Sequence, residues 1–148
     1  MDFDQFHAPD ELTYADGKKR FAFMTFVMRN DSFIPGAMVF AYALRRLETK
    51  ADLVCMITRD ISSQSKSALE LIYDRVVLVD QIYIPHVRRQ ERQDRPFLFT
   101  RFQALRAGRD GDLGLHYEKI VLVDADVRPL SCYDHLFTLD TPAGIINE

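Results

Sequence analysis

Two aspartates separated by one small residue, Asp124-Ala125-Asp126, are the part of this sequence best equipped for chemistry. Carboxylates this close can converge on one hard divalent cation, and Ala125 is too small to block access to it. Asp-x-Asp is a common pattern, so its setting decides what it does. Here it follows directly on Ile120, Val121, Leu122 and Val123, an uninterrupted aliphatic run. Such a run predicts a strand buried on both faces, the habit of a central parallel strand in an α/β sheet. Ligands in these sheets gather at the carboxyl ends of strands, where both aspartates fall. The pair therefore predicts a site for a metal and a diphosphate.

Other polar groups are candidates to serve the same site. Arg29-Asn30-Asp31-Ser32 forms a polar loop after the first apolar run. Asn30 and Asp31 are also the residue types that cap a following helix. Arg101, on residue type and spacing alone, reads as an exposed helix residue. Residues 82–95 are basic, with Arg88, Arg89, Arg92 and Arg95. An arginine there could fork a phosphate, although a solvated loop has the same composition. His135 is the sole histidine after Asp126, and without ligand spacing it reads as a surface residue.

The elements that must position these groups follow from periodicity. Residues 21–28 (F-A-F-M-T-F-V-M) predict a first buried strand. Pro35 and Gly36 open a helix running to about residue 48, with Val39, Tyr42, Ala43 and Leu47 as its buried stripe. A second strand is expected at 52–58, and a helix at 62–73 with Leu69, Leu71 and Ile72 inward. A third strand is expected at 75–80 and a helix at 96–107, stopped by Gly108. Phe21, Phe23, Phe26, Phe99 and Phe102 are expected in the core. Residues 133–137 suggest a short helical turn, 144–146 the start of another strand, and 1–20 an N-terminal leader. The order β-α-β-α-β predicts a Rossmann-like α/β fold, a mainly parallel sheet with helices on both faces. No glycine-rich dinucleotide fingerprint follows the first strand, so an NAD site is not supported.

Composition narrows the function further. At 148 residues, 47% hydrophobic and 28% charged, the chain is built for a globular core rather than disorder. A formal charge of −3 offers no nucleic-acid footprint. No apolar run approaches a bilayer span, and the acidic N-terminus lacks the pattern of a signal peptide. Cys55 and Cys132 make no disulfide framework or zinc motif, so a cytoplasmic location is expected. Oligomeric state is not readable from the sequence.

Three segments together resemble the family-8 retaining glycosyltransferases, the glycogenin and galactinol synthase group. They are F-M-T-F-V-M-R-N-D-S-F-I-P-G-A-M, the pair L-V-C-M-I-T-R-D-I-S and D-R-V-V-L-V-D, and T-R-F-Q-A-L running on to Y-E-K-I-V-L-V-D-A-D-V-R-P-L-S-C-Y-D-H-L-F. The resemblance covers about residues 21–148 and implies a glycosyltransferase A-type nucleotide-diphospho-sugar transferase fold. It implies that Asp124 and Asp126 coordinate the metal and that the Ala125 backbone lies by the ribose. Val27, Arg29 and Asn30 match positions lining the uridine, and Phe33 stands where relatives often carry tyrosine. Arg101 matches a basic residue that approaches the sugar nucleotide. Asp124, Asp126 and Arg101 are thus the residues expected to carry the reaction. The implied cofactor is Mn²⁺, with Mg²⁺ as an alternative. The implied donor is a UDP-sugar, and the acceptor a glycan, protein or polyol. The implied reaction is hexosyl transfer with retention and without an enzymic nucleophile.

Departures from the family accompany the match. Relatives carry a later His-x-x-Gly-x-x-Lys motif that supplies a third metal ligand, and this sequence contains none. The acceptor-binding half is also missing, so residues 21–148 are expected to be the nucleotide-sugar-binding N-terminal part of a domain that is incomplete at its C-terminus. Two other functions stay open on sequence alone. One is a non-catalytic module that binds UDP-sugar and metal without turnover. The other is a phosphatase of the haloacid dehalogenase type, in which the first aspartate of Asp-x-Asp is a nucleophile and the second a general acid.

Overall fold

The computed structural model describes residues 11–85 and 95–144. Four strands form one sheet: β1 (Phe21–Val27), β2 (Asp52–Ile57), β3 (Arg75–Leu78) and β4 (Lys119–Leu122). Their order is β3-β2-β1-β4, and every neighbouring pair is parallel. Helices α1 (Ile34–Arg46) and α2 (Ser63–Glu70) supply the crossovers β1-α1-β2-α2-β3. A 3-10 segment, Arg95–Ala107, precedes β4. The arrangement is the Rossmann-like α/β fold expected from the element order, and it is consistent with the glycosyltransferase A-type fold. Among the described residues, no helix is long and apolar enough to cross a membrane.

Two apolar clusters sandwich the sheet. On one face Phe21, Phe23, Leu53 and Cys55 pack with Phe40, Leu44 and Leu69 from the helices. On the other, Ala22, Met24, Val54 and Met56 pack with Ala104 and Ala107 of the 3-10 segment. Alternate residues of β1 thus face opposite clusters, as the period of a strand requires. Residues 11–20 turn back through a bridge between Thr13 and Lys19. They lead into Arg20, whose guanidinium donates to Glu118 at 2.8 Å.

The structure corrects several expectations. First, α1 buries Ile34, Ala37, Phe40, Ala41 and Leu44, while Val39 and Tyr42 remain 49% and 57% exposed. Both stripes have helical spacing. The one carrying Ala37 and Ala41 wins because small residues let the helix lie close to the sheet while Phe40 and Leu44 fill the space beside them.

Second, Phe99 and Phe102 are exposed, whereas Thr100, Gln103, Ala104 and Ala107 face inward. Hydrogen bonds select that face. The Ile82 N–H donates to Thr100 Oγ1 at 3.0 Å, and Gln103 Nε2 donates to the Asp80 carbonyl at 2.9 Å. These bonds pin the polar side of the segment to the chain leaving β3. Phe21, Phe23 and, in part, Phe26 do enter the core.

Third, β4 is an edge strand of the described sheet, and the central strands are β1 and β2. Ile120 and Val121 face opposite clusters, but Leu122 is exposed. An apolar run reports covered faces and says nothing about lateral neighbours. In α2, Leu69 is buried as expected, but Leu71 is exposed because the helix stops at Glu70 and turns. All of the suggested strand at 144–146 except Gly144, and most of the basic stretch at 82–95, lie outside the described residues.

Candidate metal and nucleotide site

The strand order reverses direction between β1 and β4, since chain succession runs outward through β2 and β3 before returning to the other side of β1. In open α/β sheets ligands bind outside the carboxyl ends of the strands at such a reversal, and here the segments after β1 and β4 both pack on the α1 face of the sheet. Val27 ends β1 with Arg29 and Asn30 just beyond it, and Asp124, Ala125 and Asp126 come just beyond the end of β4, so both groups stand at the carboxyl edge of the sheet. The Val123 N–H still donates to the Met24 carbonyl at 2.8 Å, so the backbone remains tied to β1 up to the first aspartate.

The side chains there play unequal parts. Asp124 and Asp126 are exposed, while Ala125 is buried beneath them. Arg101 reaches Asp124 from the 3-10 segment, Nη2 to Oδ1 at 3.5 Å. The same guanidinium lies 5.3 Å from the centre of the Phe26 ring. Its Nε is buried and has no hydrogen-bond partner among the described residues.

The β1 loop is fixed by local chemistry. Arg29 adopts a φ of 71°, in the left-handed region that a side chain disfavours. Its N–H donates to Thr58 Oγ1 at 3.1 Å, and its guanidinium sits 5.1 Å over the Phe97 ring. Asn30 Oδ1 accepts from the Ser32 N–H at 2.9 Å, capping the 3-10 turn Asp31–Phe33. Asp31 does not cap its own helix. It crosses to α2, accepting from the Ser62 N–H at 3.0 Å, Ser62 Oγ at 2.6 Å and Ser65 Oγ at 2.8 Å. Those bonds, led by the Ser62 hydroxyl, hold its carboxyl below the usual aspartate range. Phe33 is exposed at the start of α1, and the Val27 side chain is in the core.

Helix α1 connects the two groups. A Cβ built on Gly36 would stand 2.5 Å from the Ala125 carbonyl oxygen and 3.5 Å from the Asp126 Cα. Only glycine lets the first turn of α1 approach the aspartate loop this closely. Gly36, Thr58, Phe26 and Phe97 were not among the candidate residues read from the sequence. Gly36 could have been suspected as a glycine in the first turn of a helix, but its partner is 89 positions away (125 − 36).

The tail after the aspartates is anchored to the core. Asp134 is buried and accepts from Thr49 Oγ1 at 2.5 Å and the Lys50 N–H at 2.8 Å. Phe137 stacks on Phe21 with ring centres 5.0 Å apart. His135 lies between them in the 3-10 turn Asp134–Thr138, its ring 6.1 Å from that of Tyr133.

As a donor set, two carboxylates at one strand end suit a hard divalent cation whose other positions are filled by phosphate oxygens and water. Among the described residues, no group of three or more His, Cys, Asp or Glu gathers to enclose a metal. An open depression of about 960 Å³ lined by Arg106, Asp112, Tyr117 and Glu118 lies at the amino end of β4, away from this edge.

The fold and the site together define an α/β domain of Rossmann-like class with its acidic pair at the topological switch point. No family model matches the chain. It is 28% identical over 129 residues to an uncharacterized protein of Acanthamoeba polyphaga mimivirus, covering 86% of this chain and 43% of that protein. It is 32% identical over 114 residues to a glycogenin of Neurospora crassa, covering 76% of this chain and 16% of the relative. Galactinol synthase 10 of Arabidopsis thaliana matches at 26% over 131 residues, 88% of this chain and 37% of the relative. The chain therefore spans less than half the length of these curated relatives.

Proposed function

We propose that residues 21–148 are the nucleotide-sugar-binding N-terminal part of a cytoplasmic glycosyltransferase domain of the glycogenin and galactinol synthase kind, with residues 1–20 as a leader. The proposed reaction moves a hexose-type sugar from a UDP-sugar to a glycan, protein or polyol acceptor, with retention of configuration. One observation carries this proposal: Asp124-Ala125-Asp126 follows β4 at the carboxyl edge of the sheet, beside β1, to which the Val123 N–H is still bonded through the Met24 carbonyl. The similarity to proteins named glycogenin and galactinol synthase supports it.

Asp124 and Asp126 would hold Mn²⁺, with Mg²⁺ as the alternative. A cation there supplies Lewis-acid stabilisation of the diphosphate as its bond to the sugar breaks. The Ala125 backbone lies by the ribose, and Arg29, Asn30 and the backbone at Val27 hold the uridine, with Phe33 beside it. Arg101 adds positive charge where negative charge develops on the departing diphosphate. No side chain is assigned as a covalent nucleophile.

A second function, metal-dependent UDP-sugar binding without turnover, is favoured by one feature. Asp124 and Asp126 stand without a third clustered ligand among the described residues. Calorimetric titration with UDP and a UDP-sugar panel, with and without Mn²⁺, tests both. Mn²⁺-dependent binding that is lost in Asp124→Ala and Asp126→Ala supports the site, and transfer or hydrolysis of the donor separates an enzyme from a binding module. Binding indifferent to Mn²⁺ or to both substitutions would sink the site.

A further inference from the structure

Resting on the site just proposed, we propose that Arg101 is an internal counter-ion that occupies Asp124 until a metal arrives and is then released to the diphosphate. Three observations carry it. The guanidinium meets Asp124 through one nitrogen at 3.5 Å, with the two side chains 37% and 55% exposed. A single long contact at that exposure is weak and readily exchanged. The Arg101 side chain is nevertheless held in place, because its guanidinium lies over the Phe26 ring. Finally, Nε is buried without an acceptor among the described residues. Buried N–H groups ordinarily have partners, so this donor is one that an anionic acceptor would satisfy once the guanidinium turns to it.

The electrostatics make the exchange directional. Two carboxylates two residues apart repel one another, and among the described residues Arg101 is the cation paired with the first of them. A divalent ion at Asp124 cancels the negative charge that attracts the guanidinium and adds positive charge that repels it. Arg101 then has a full charge, a bidentate fork and an unfilled donor to offer a diphosphate. The metal consequently raises nucleotide affinity in two ways, by direct contact and by freeing Arg101. By linkage, the nucleotide raises metal affinity by the same factor.

The test compares the 148-residue chain with Arg101→Gln and Arg101→Lys, using Mn²⁺ alone, UDP alone and both together. Mn²⁺ is followed by electron paramagnetic resonance, UDP by calorimetry, and folding by circular dichroism. Without UDP, Arg101→Gln is expected to bind Mn²⁺ about twofold to fivefold more tightly, the worth of an exposed ion pair. The factor by which Mn²⁺ strengthens UDP binding is expected to fall in the same variant. Arg101→Lys keeps the charge but loses the fork, and is expected to recover only part of that factor. Unchanged or weaker Mn²⁺ binding by a folded Arg101→Gln, with Asp126→Ala still abolishing binding, overturns the counter-ion role alone. A loss of UDP affinity equal with and without Mn²⁺ also overturns it. Failure of every form, the unsubstituted chain included, to bind Mn²⁺ brings down the underlying site as well.

Discussion

The Gly36 Cα is placed so that any Cβ on it would stand 2.5 Å from the carbonyl oxygen of Ala125. That contact is backbone against helix, so no flexible side chain can move aside. Gly36→Ala is expected to push α1 off the aspartate loop and to destabilise the chain by about 1–3 kcal/mol, the usual cost of overpacking. Mn²⁺ and UDP affinity should fall with it. Unaltered urea midpoints and unaltered binding would show that the loop and helix can separate freely.

Asp134 is a structural clamp, joining the tail to the turn before β2 through Thr49 and Lys50. Asp134→Ala leaves two donors without their acceptor and should cost about 1–3 kcal/mol. Phe137→Ala removes a ring stacked on Phe21 and should cost about 3–5 kcal/mol. Urea unfolding measures both. A loss of UDP binding by Asp134→Ala at unchanged stability would instead give Asp134 a role in the site.

Asp31 should make stability depend on pH in acid. Its folded carboxyl titrates below the ordinary value of 3.8, chiefly through the Ser62 hydroxyl. A group depressed on folding contributes stability above its unfolded value and loses it as pH falls through the folded one. The stability difference between the unsubstituted chain and Asp31→Asn should therefore be greatest near neutrality and shrink below pH 3.8. A difference that is constant through this range would contradict the assigned bonds to Ser62 and Ser65.

The two cysteines should separate cleanly under a thiol reagent. Cys55 is buried in the core, where desolvation pushes its thiol up to about 12. Cys132 is exposed. At pH 8 the native chain should label at Cys132 only, and both should label in denaturant. Mass spectrometry of the labelled protein reads the answer, and native labelling at Cys55 would show that β2 opens readily.

The inverted face of the 3-10 segment can be checked by paired substitutions. Phe102 is 51% exposed, so Phe102→Ser should cost less than about 1 kcal/mol. Gln103→Ala should cost about 1–3 kcal/mol by leaving the Asp80 carbonyl without its donor. The reverse order in urea unfolding would restore the phenylalanines to the core.

Much of the fold is legible in the sequence. The apolar runs at β1, β2 and β3 and the helical stretches between them determine a parallel α/β sheet, because period and run length are local properties of the chain. The same locality makes Asp124-Ala125-Asp126 readable as an acidic pair at a strand's carboxyl end. Which helical stripe faces inward is not local. The stripe through Val39 and Tyr42 and the stripe through Phe40 and Leu44 are equally periodic, and the sheet surface chooses between them. Lateral position is also beyond a pattern of residues, so β4 reads as central and stands at the edge of the described sheet. Only tertiary structure brings Arg101 to Asp124, Gly36 to Ala125 and Asp31 to Ser62, since each contact joins side chains or backbone far apart in sequence. The acidic pair was written in the chain; its counter-ion and the helix wedged against it arise from packing.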